Sequence, residues 1–296
     1  MELGQIGTAM VTPFSETGDI DYDLTEALIE HLIATGTDSL IVCGTTGESP
    51  TLNHEEKSNL FKYAIEIVKK RIPVVAGTGT FNTAETVKLT KQAEALGADG
   101  IMLVTPYYNK PDQKGIVAHF THIARETRLP IMLYNIPGRS AVNMEAQTVI
   151  ELSKINNIRA VKEASGSLDQ MSEIITGTDE GFKMYSGDDA LTLPVLSIGG
   201  DGVISVASHV VGAEMQQMIN AFKSGNTKQA SAMHRALLPL FHAVFSAPNP
   251  VPVKYALRKI GIDTGGVRMP LTDFGKDSTA FDSVWKQFKD HQLVFH

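Results

Sequence analysis

In the segment Ile158-Arg159-Ala160-Val161-Lys162-Glu163-Ala164, a lysine stands between two alanines at strand spacing. Period-two alternation puts Ala160, Lys162 and Ala164 on one face and Val161 and Glu163 on the other. Where the first face looks into a protein interior, the amine is poorly solvated. Desolvation then lowers its pKa toward the neutral form that attacks a carbonyl. The chemistry this points to is imine formation; a lysine that snorkels to solvent or pairs with an acid is the alternative. Imine chemistry also needs a proton relay, and the preceding apolar run ends Leu133-Tyr134-Asn135-Ile136-Pro137-Gly138-Arg139. Tyr134 suits the acid and base on the adjacent strand, and Arg139 suits a bidentate clamp for a carboxylate. A surface arginine is the plainer reading of Arg139.

Four other clusters carry polar chemistry. Cys43-Gly44-Thr45-Thr46-Gly47-Glu48-Ser49 brackets two hydroxyls with glycines, so that backbone N–H groups and threonine side chains can converge on a carboxylate or phosphate. An ordinary tight turn explains it equally. Thr105-Pro106-Tyr107-Tyr108-Asn109 sets two aromatics after a proline, one of which suits the core or a subunit contact. The turns Ser186-Gly187-Asp188-Asp189 and Gly199-Gly200-Asp201-Gly202 are acidic, but no histidine lies near either, and helix capping suits Asp188 and Asp189 better than a metal. They also disfavour a phosphorylated substrate. His119 and His122 are at helical spacing and fit a helix surface better than a metal site.

The elements that must hold these residues show as an alternation of β-branched apolar runs with amphipathic stretches. The runs predict strands over 6–13, 39–45, 73–77, 100–106, 131–136, 159–163, 183–187 and 202–207, with helices over 21–35, 53–70, 83–96, 115–127 and 143–155 and a short one over 191–198. Thr78, Pro106, Tyr134 and Lys162 follow one another at steps of 28 residues, which reads as one βα unit per step. Eight strands favour a closed (β/α)8 TIM barrel, whose active site lies at the carboxyl ends of the strands. There Lys162 sits at the catalytic end, whereas Lys183 opens its strand and Lys110 lies in a loop. The rival doubly wound sheet carries a glycine fingerprint after its first strand, where this chain has Thr12-Pro13-Phe14-Ser15. Beyond residue 225 only helices are expected, over 226–245, 253–260 and 277–293, which divides the chain into a catalytic barrel, 1–225, and a C-terminal helical appendage, 226–296.

Composition narrows the partners. The 296 residues carry a formal charge of −7 with scattered basic residues, which speaks against nucleic acid and anionic membranes and for small molecules. The single Cys43 excludes an internal disulfide and a multi-cysteine metal site. Met1-Glu2-Leu3-Gly4-Gln5 does not resemble a signal peptide and no apolar stretch approaches the ~20 residues of a membrane span, so the expectation is a cytoplasmic protein.

Taken jointly, Gly44-Thr45-Thr46-Gly47-Glu48, Thr105-Pro106-Tyr107-Tyr108-Asn109-Lys110-Pro111, Tyr134-Asn135-Ile136-Pro137-Gly138-Arg139, Val161-Lys162-Glu163, Ser186-Gly187-Asp188 and Asn249-Pro250 span nearly the whole chain. In these motifs and their order the chain resembles the 4-hydroxy-tetrahydrodipicolinate synthases of the N-acetylneuraminate lyase superfamily. The resemblance implies that Lys162 forms a Schiff base with pyruvate and that Tyr134 is the proton donor and acceptor. Thr45 and Tyr108 extend the relay, Tyr108 by crossing a tight dimer interface. The amides of Thr45 and Thr46 would hold the pyruvate carboxylate, and Gly187 and Ile204 would line the pyruvate pocket. Arg139 would receive aspartate 4-semialdehyde. It implies a homotetramer of two tight dimers and no metal or organic cofactor, since the protonated imine is itself the electron sink. A 2-keto-3-deoxy sugar acid or N-acetylneuraminate aldolase of the same superfamily is the alternative; sialic acid lyases typically resemble Gly-Ser-Thr-Gly-Glu in the first motif and lack the arginine matching Arg139. Ser49, His54, Glu85 and Tyr107 match the family's lysine effector site, but Lys57 and Phe81 stand where lysine-inhibited members carry His and Asn. A cationic Lys57 repels lysine's ammonium groups, which implies weak feedback inhibition or none.

Overall fold

The computed structural model describes residues 1–274 and 278–291. Eight parallel strands close into a barrel in sequence order: β1 Ile6–Ala9, β2 Ser39–Val42, β3 Val74–Gly77, β4 Gly100–Val104, β5 Ile131–Asn135, β6 Ile158–Glu163, β7 Lys183–Ser186 and β8 Gly202–Ser205. The expected (β/α)8 architecture therefore forms. All strands but β6 are shorter than the apolar run that announces them, and the truncations have local causes. Pro13 has no N–H for a ladder, and Cys43 takes a left-handed φ of 57° that no strand continues. After β8, the amides of Val206 and Ala207 turn to the Asp189 carboxylate instead of a neighbouring strand.

Helices alternate with the strands: α1 Tyr22–Ala34, α2 His54–Val68, α3 Thr83–Leu96, α4 Gln113–Arg125, α5 Pro137–Ser140, α6 Ala146–Ser153, α7 Leu168–Gly177, α8 Thr192–Ser197 and α9 Ser208–Lys223. Asp21, Asn53, Asn82, Asp112 and Ser167 cap the starts of α1, α2, α3, α4 and α7 with side-chain acceptors. No helix is expected from the sequence over α5, α7 or α9. Yet α7 carries its signal, a capping Ser167 followed by Leu168, Met171 and Ile174 at helical spacing. α9 has no side-chain cap and is kinked at Val211, which blurs its start.

The regular 28-residue step does not survive as a barrel period. Tyr134 is level with Lys162 across β5 and β6, but on its other side it pairs with Val104, not with Pro106. Lys162 in turn pairs with Tyr185 of β7. Loops and helices of unequal length make the steps unequal.

Apolar side chains occupy three layers. Ile41, Val75, Met102, Met132, Tyr134, Ala160, Tyr185 and Ile204 fill the barrel interior, while residues such as Leu40, Val42, Leu133 and Val161 pack outward against the helices. The third layer joins Ile6, Val203 and α9 to the C-terminal helices α10 Thr227–Ala243, α11 Val251–Lys259 and α12 Ser278–His291. Met233, Leu237, Phe241, Phe281, Trp285 and Phe288 are buried there, each stabilising by roughly 1.5–3 kcal/mol. Residue 277 and residues 292–293 of the expected last helix lie outside the described residues.

Candidate active site

β6 delivers Lys162 to the barrel interior on the face shared with Ala160, at 5% exposure. Its ammonium lies over the Tyr134 ring, 4.3 Å from the centroid. Burial pulls its pKa down to about 8; Asp189 opposes this and Arg139 adds to it. Close above pH 8 the amine is therefore mostly the nucleophilic free base. The floor beside it tolerates only glycine: a Cβ on Gly187 would lie 2.7 Å from Ala164 Cβ and 3.2 Å from Lys162 Cε. Ile204 of β8 completes this interior layer.

Tyr134 is buried on the neighbouring strand. Burial raises its phenol to about 12, opposed by the Arg139 charge and a hydrogen bond with Thr45. Thr45 reaches it because the chain reverses sharply after β2. Cys43 and Glu48 both take left-handed φ values, the Glu48 amide donates to Thr45 O at 3.0 Å, and Thr12 donates to Gly47 O at 2.7 Å. In the same turn Thr46 is buried and accepts a hydrogen bond from Asn249 Nδ2 at 2.8 Å. The turn therefore holds one hydroxyl on the tyrosine and a second on a residue from the tail.

A cavity of about 250 Å³ opens above these groups, with Thr45, Ser49, Lys57, Tyr107, Tyr134 and Arg139 in its wall. Arg139, on the single turn α5, is exposed and has no ion-pair partner among the described residues. Lys162, Gly187, Ile204 and Thr46 are not in the lining and lie in the surrounding layer. Tyr108 is not brought to the cavity within one chain: it takes a φ of 69° and is 90% exposed. Tyr107 of the same pair lines the wall, its ring centroid 5.2 Å from that of Phe81.

The four effector candidates divide. Ser49 and Tyr107 share the cavity wall, whereas His54 and Glu85 meet each other at 2.7 Å outside that wall. Lys57 is also in the wall, and burial lowers its pKa.

The sequence suggests only a helix cap for Asp189. Asp188 is the cap, accepting from Ala190 N at 2.9 Å. Asp189 is instead buried, with one carboxylate oxygen held by the amides of Val206 and Ala207 at 3.2 and 2.9 Å and the other without a hydrogen-bond partner. Its charge favours the ammonium form of Lys162. Nothing in the local sequence separates the two aspartates; only the closure of β7 on β8 does.

His119 departs from the expected helix surface. It turns inward from α4, bonds Thr83 Oγ1 at 2.9 Å, and burial lowers its pKa to about 4, while His122 remains exposed. Among the described residues, no group of three or more His, Cys, Asp or Glu side chains is arranged to hold a metal ion, and no helix is long and apolar enough to cross a membrane.

Residues 2–285 match the family model described as the dihydrodipicolinate synthetase family. The 4-hydroxy-tetrahydrodipicolinate synthase 2 of Halalkalibacterium halodurans is 57% identical over 271 residues, 92% of this chain and 93% of the relative. The Bacillus subtilis 4-hydroxy-tetrahydrodipicolinate synthase is 53% identical over 94% of this chain and 96% of the relative. Among solved structures, a dihydrodipicolinate synthase of Bacillus anthracis superposes with a TM-score of 0.95 at 49% identity, over 97% of this chain and 98% of that one.

Proposed function

The chain belongs to the dihydrodipicolinate synthetase family, and from that premise we propose how its residues divide the work of the family's reaction. The reaction is the condensation of pyruvate with L-aspartate 4-semialdehyde to 4-hydroxy-tetrahydrodipicolinate, a lyase activity of the imine-forming type on the path to diaminopimelate and lysine. The observation that carries the assignment is a buried, partly neutral lysine level with a buried tyrosine under a cavity.

Neutral Lys162 adds to the pyruvate ketone, and loss of water leaves a protonated imine. The iminium nitrogen acidifies the methyl group, and Tyr134, passing its own proton on through Thr45, takes one methyl proton to give the enamine. The enamine carbon attacks the aldehyde carbon of the semialdehyde, and the resulting alkoxide takes a proton from Tyr134. The substrate amine then attacks the imine carbon, closing the ring and releasing Lys162. Thr45 hands protons to and from Tyr134, and Tyr108 of a second copy of the chain completes that relay. The amides of Thr45 and Thr46 receive the pyruvate carboxylate over the floor of Gly187 and Ile204, and Arg139 receives the carboxylate of the second substrate at the rim.

The exposure of Tyr108 and Phe81 supports assembly as a homotetramer of two tight dimers. A buried, unpaired Cys43 suits the reducing cytoplasm. Residues 1–225 carry the chemistry and residues 226–296 support it. Borohydride reduction in the presence of pyruvate should fix a pyruvate-derived adduct on Lys162 in the peptide mass map; an unmodified Lys162 refutes the assignment. Cleavage of sugar acids faster than condensation with the semialdehyde would transfer the chain to the aldolase reading.

A further inference from the structure

The turn that carries Thr45 and Thr46 is gripped from outside the barrel. Asn249, in the loop between α10 and α11, donates to Thr46 Oγ1, and Lys254 on α11 pairs with Glu48 at 3.0 Å. Both grips are buried, Asn249 at 7% and Lys254 at 1% exposure. The chemistry of the first grip is directional. A threonine oxygen that accepts from an amide N–H keeps its own hydrogen free to donate elsewhere. Asn249 is itself held: prolines flank it on both sides, and the carbonyl of Pro250 accepts the Lys254 amide at 3.0 Å.

We infer that Asn249 is a positioning residue for pyruvate, one that turns the Thr46 hydroxyl hydrogen toward the substrate carboxylate. The inference rests on the reading that Thr46 receives that carboxylate. It gives the helical tail a part in substrate recognition that residues of the barrel alone do not supply. The orientation, and not merely the packing, is what Asn249 contributes. An aspartate in its place keeps the shape but accepts the Thr46 proton, which reverses the hydroxyl and sets a negative charge near the bound carboxylate.

The test is steady-state kinetics of N249D, N249A, T46V and the T46V/N249A pair, with a thermal melt on each. N249D should raise the KM for pyruvate by about a hundredfold and N249A by about tenfold, with the KM for aspartate semialdehyde nearly unchanged. T46V should raise the pyruvate KM about tenfold, and N249A should add almost nothing in the T46V background. An N249D effect no larger than that of N249A, or full additivity in the double variant, overturns the inference while leaving Thr46 its role. A T46V protein with the parent pyruvate KM overturns the part given to the Thr46 hydroxyl, and the inference with it, while leaving the Thr46 amide its role. Should N249A fail to fold, the isosteric N249D decides: a folded N249D protein with the parent pyruvate KM overturns the inference.

Discussion

Lys162 in the barrel and Lys254 in the helical tail are both almost fully buried, and burial brings both down to about 8. Each ammonium lies 4.3 Å from an aromatic centroid, Tyr134 for one and Phe14 for the other. What separates them is partners. Lys254 pairs with Glu48 at 3.0 Å and donates to Gly266 O at 2.6 Å, so its proton is engaged and its position fixed. Among the described residues Lys162 has no carboxylate or carbonyl within hydrogen-bond reach, only the more distant charge of Asp189, and it lies against Tyr134, which lines the cavity. A depressed lysine pKa is thus no mark of catalysis by itself. An amine both desolvated and left without an acceptor is the one free to attack.

The comparison can be broken first by substituting each lysine with methionine. Lys162→Met should lower the condensation rate by at least about four orders of magnitude, as removal of a covalent nucleophile does, whereas Lys254→Met should still form the borohydride-trapped adduct. Lys254→Met should instead lose about 3–5 kcal/mol in a denaturant melt, because Glu48 is left buried and unpaired. A Lys254→Met protein as stable as the parent would remove the contrast.

Next comes pH. Only the free base of Lys162 adds to pyruvate, so kcat/KM for pyruvate should fall roughly tenfold per unit below about 8 and level off above it. A flat profile between pH 6 and 9 would mean that Lys162 is not the titrating nucleophile. Smaller is the stability effect at Lys162. A lysine held near 8 when folded and near 10.5 when unfolded carries a penalty that is fully present below about pH 8 and fades as pH rises toward 10.5. Lys162→Met should therefore stabilise the fold by about 3 kcal/mol at pH 7 and by much less at pH 10, read by denaturant midpoints. A third lysine, Lys57, is only half-buried and sits in the cavity wall. Its positive charge should keep inhibition by millimolar L-lysine below about twofold in the steady-state assay, since like charges in a shared cavity repel; micromolar inhibition would remove Lys57 as the determinant.

The barrel, its strand order and the inward face of β6 were legible because period-two alternation and βα repetition are local patterns. So were Tyr134, Thr45 and Arg139, which line the cavity from β5 and from the segments that follow β2 and β5, and the buried Lys162 beside Tyr134. The depth of each strand was not legible, since it depends on where a ladder donor finds another acceptor, as the Val206 and Ala207 amides do on Asp189. For the same reason Asp188 and Asp189 could not be told apart. The hold of Asn249 on Thr46 spans 203 residues and leaves no trace in either segment taken alone. His119 was misplaced because its inward turn answers to Thr83 on a different helix.

The sharp turn that ends β2 has a practical corollary at its first residue. Cys43 is the chain's single cysteine, fully enclosed, with a thiol that burial lifts to about 12. Maleimides and mild oxidants should therefore pass the native fold by. A cysteine introduced on the surface becomes the one addressable handle for a dye, a spin label or a solid support, with no background substitution needed at Cys43.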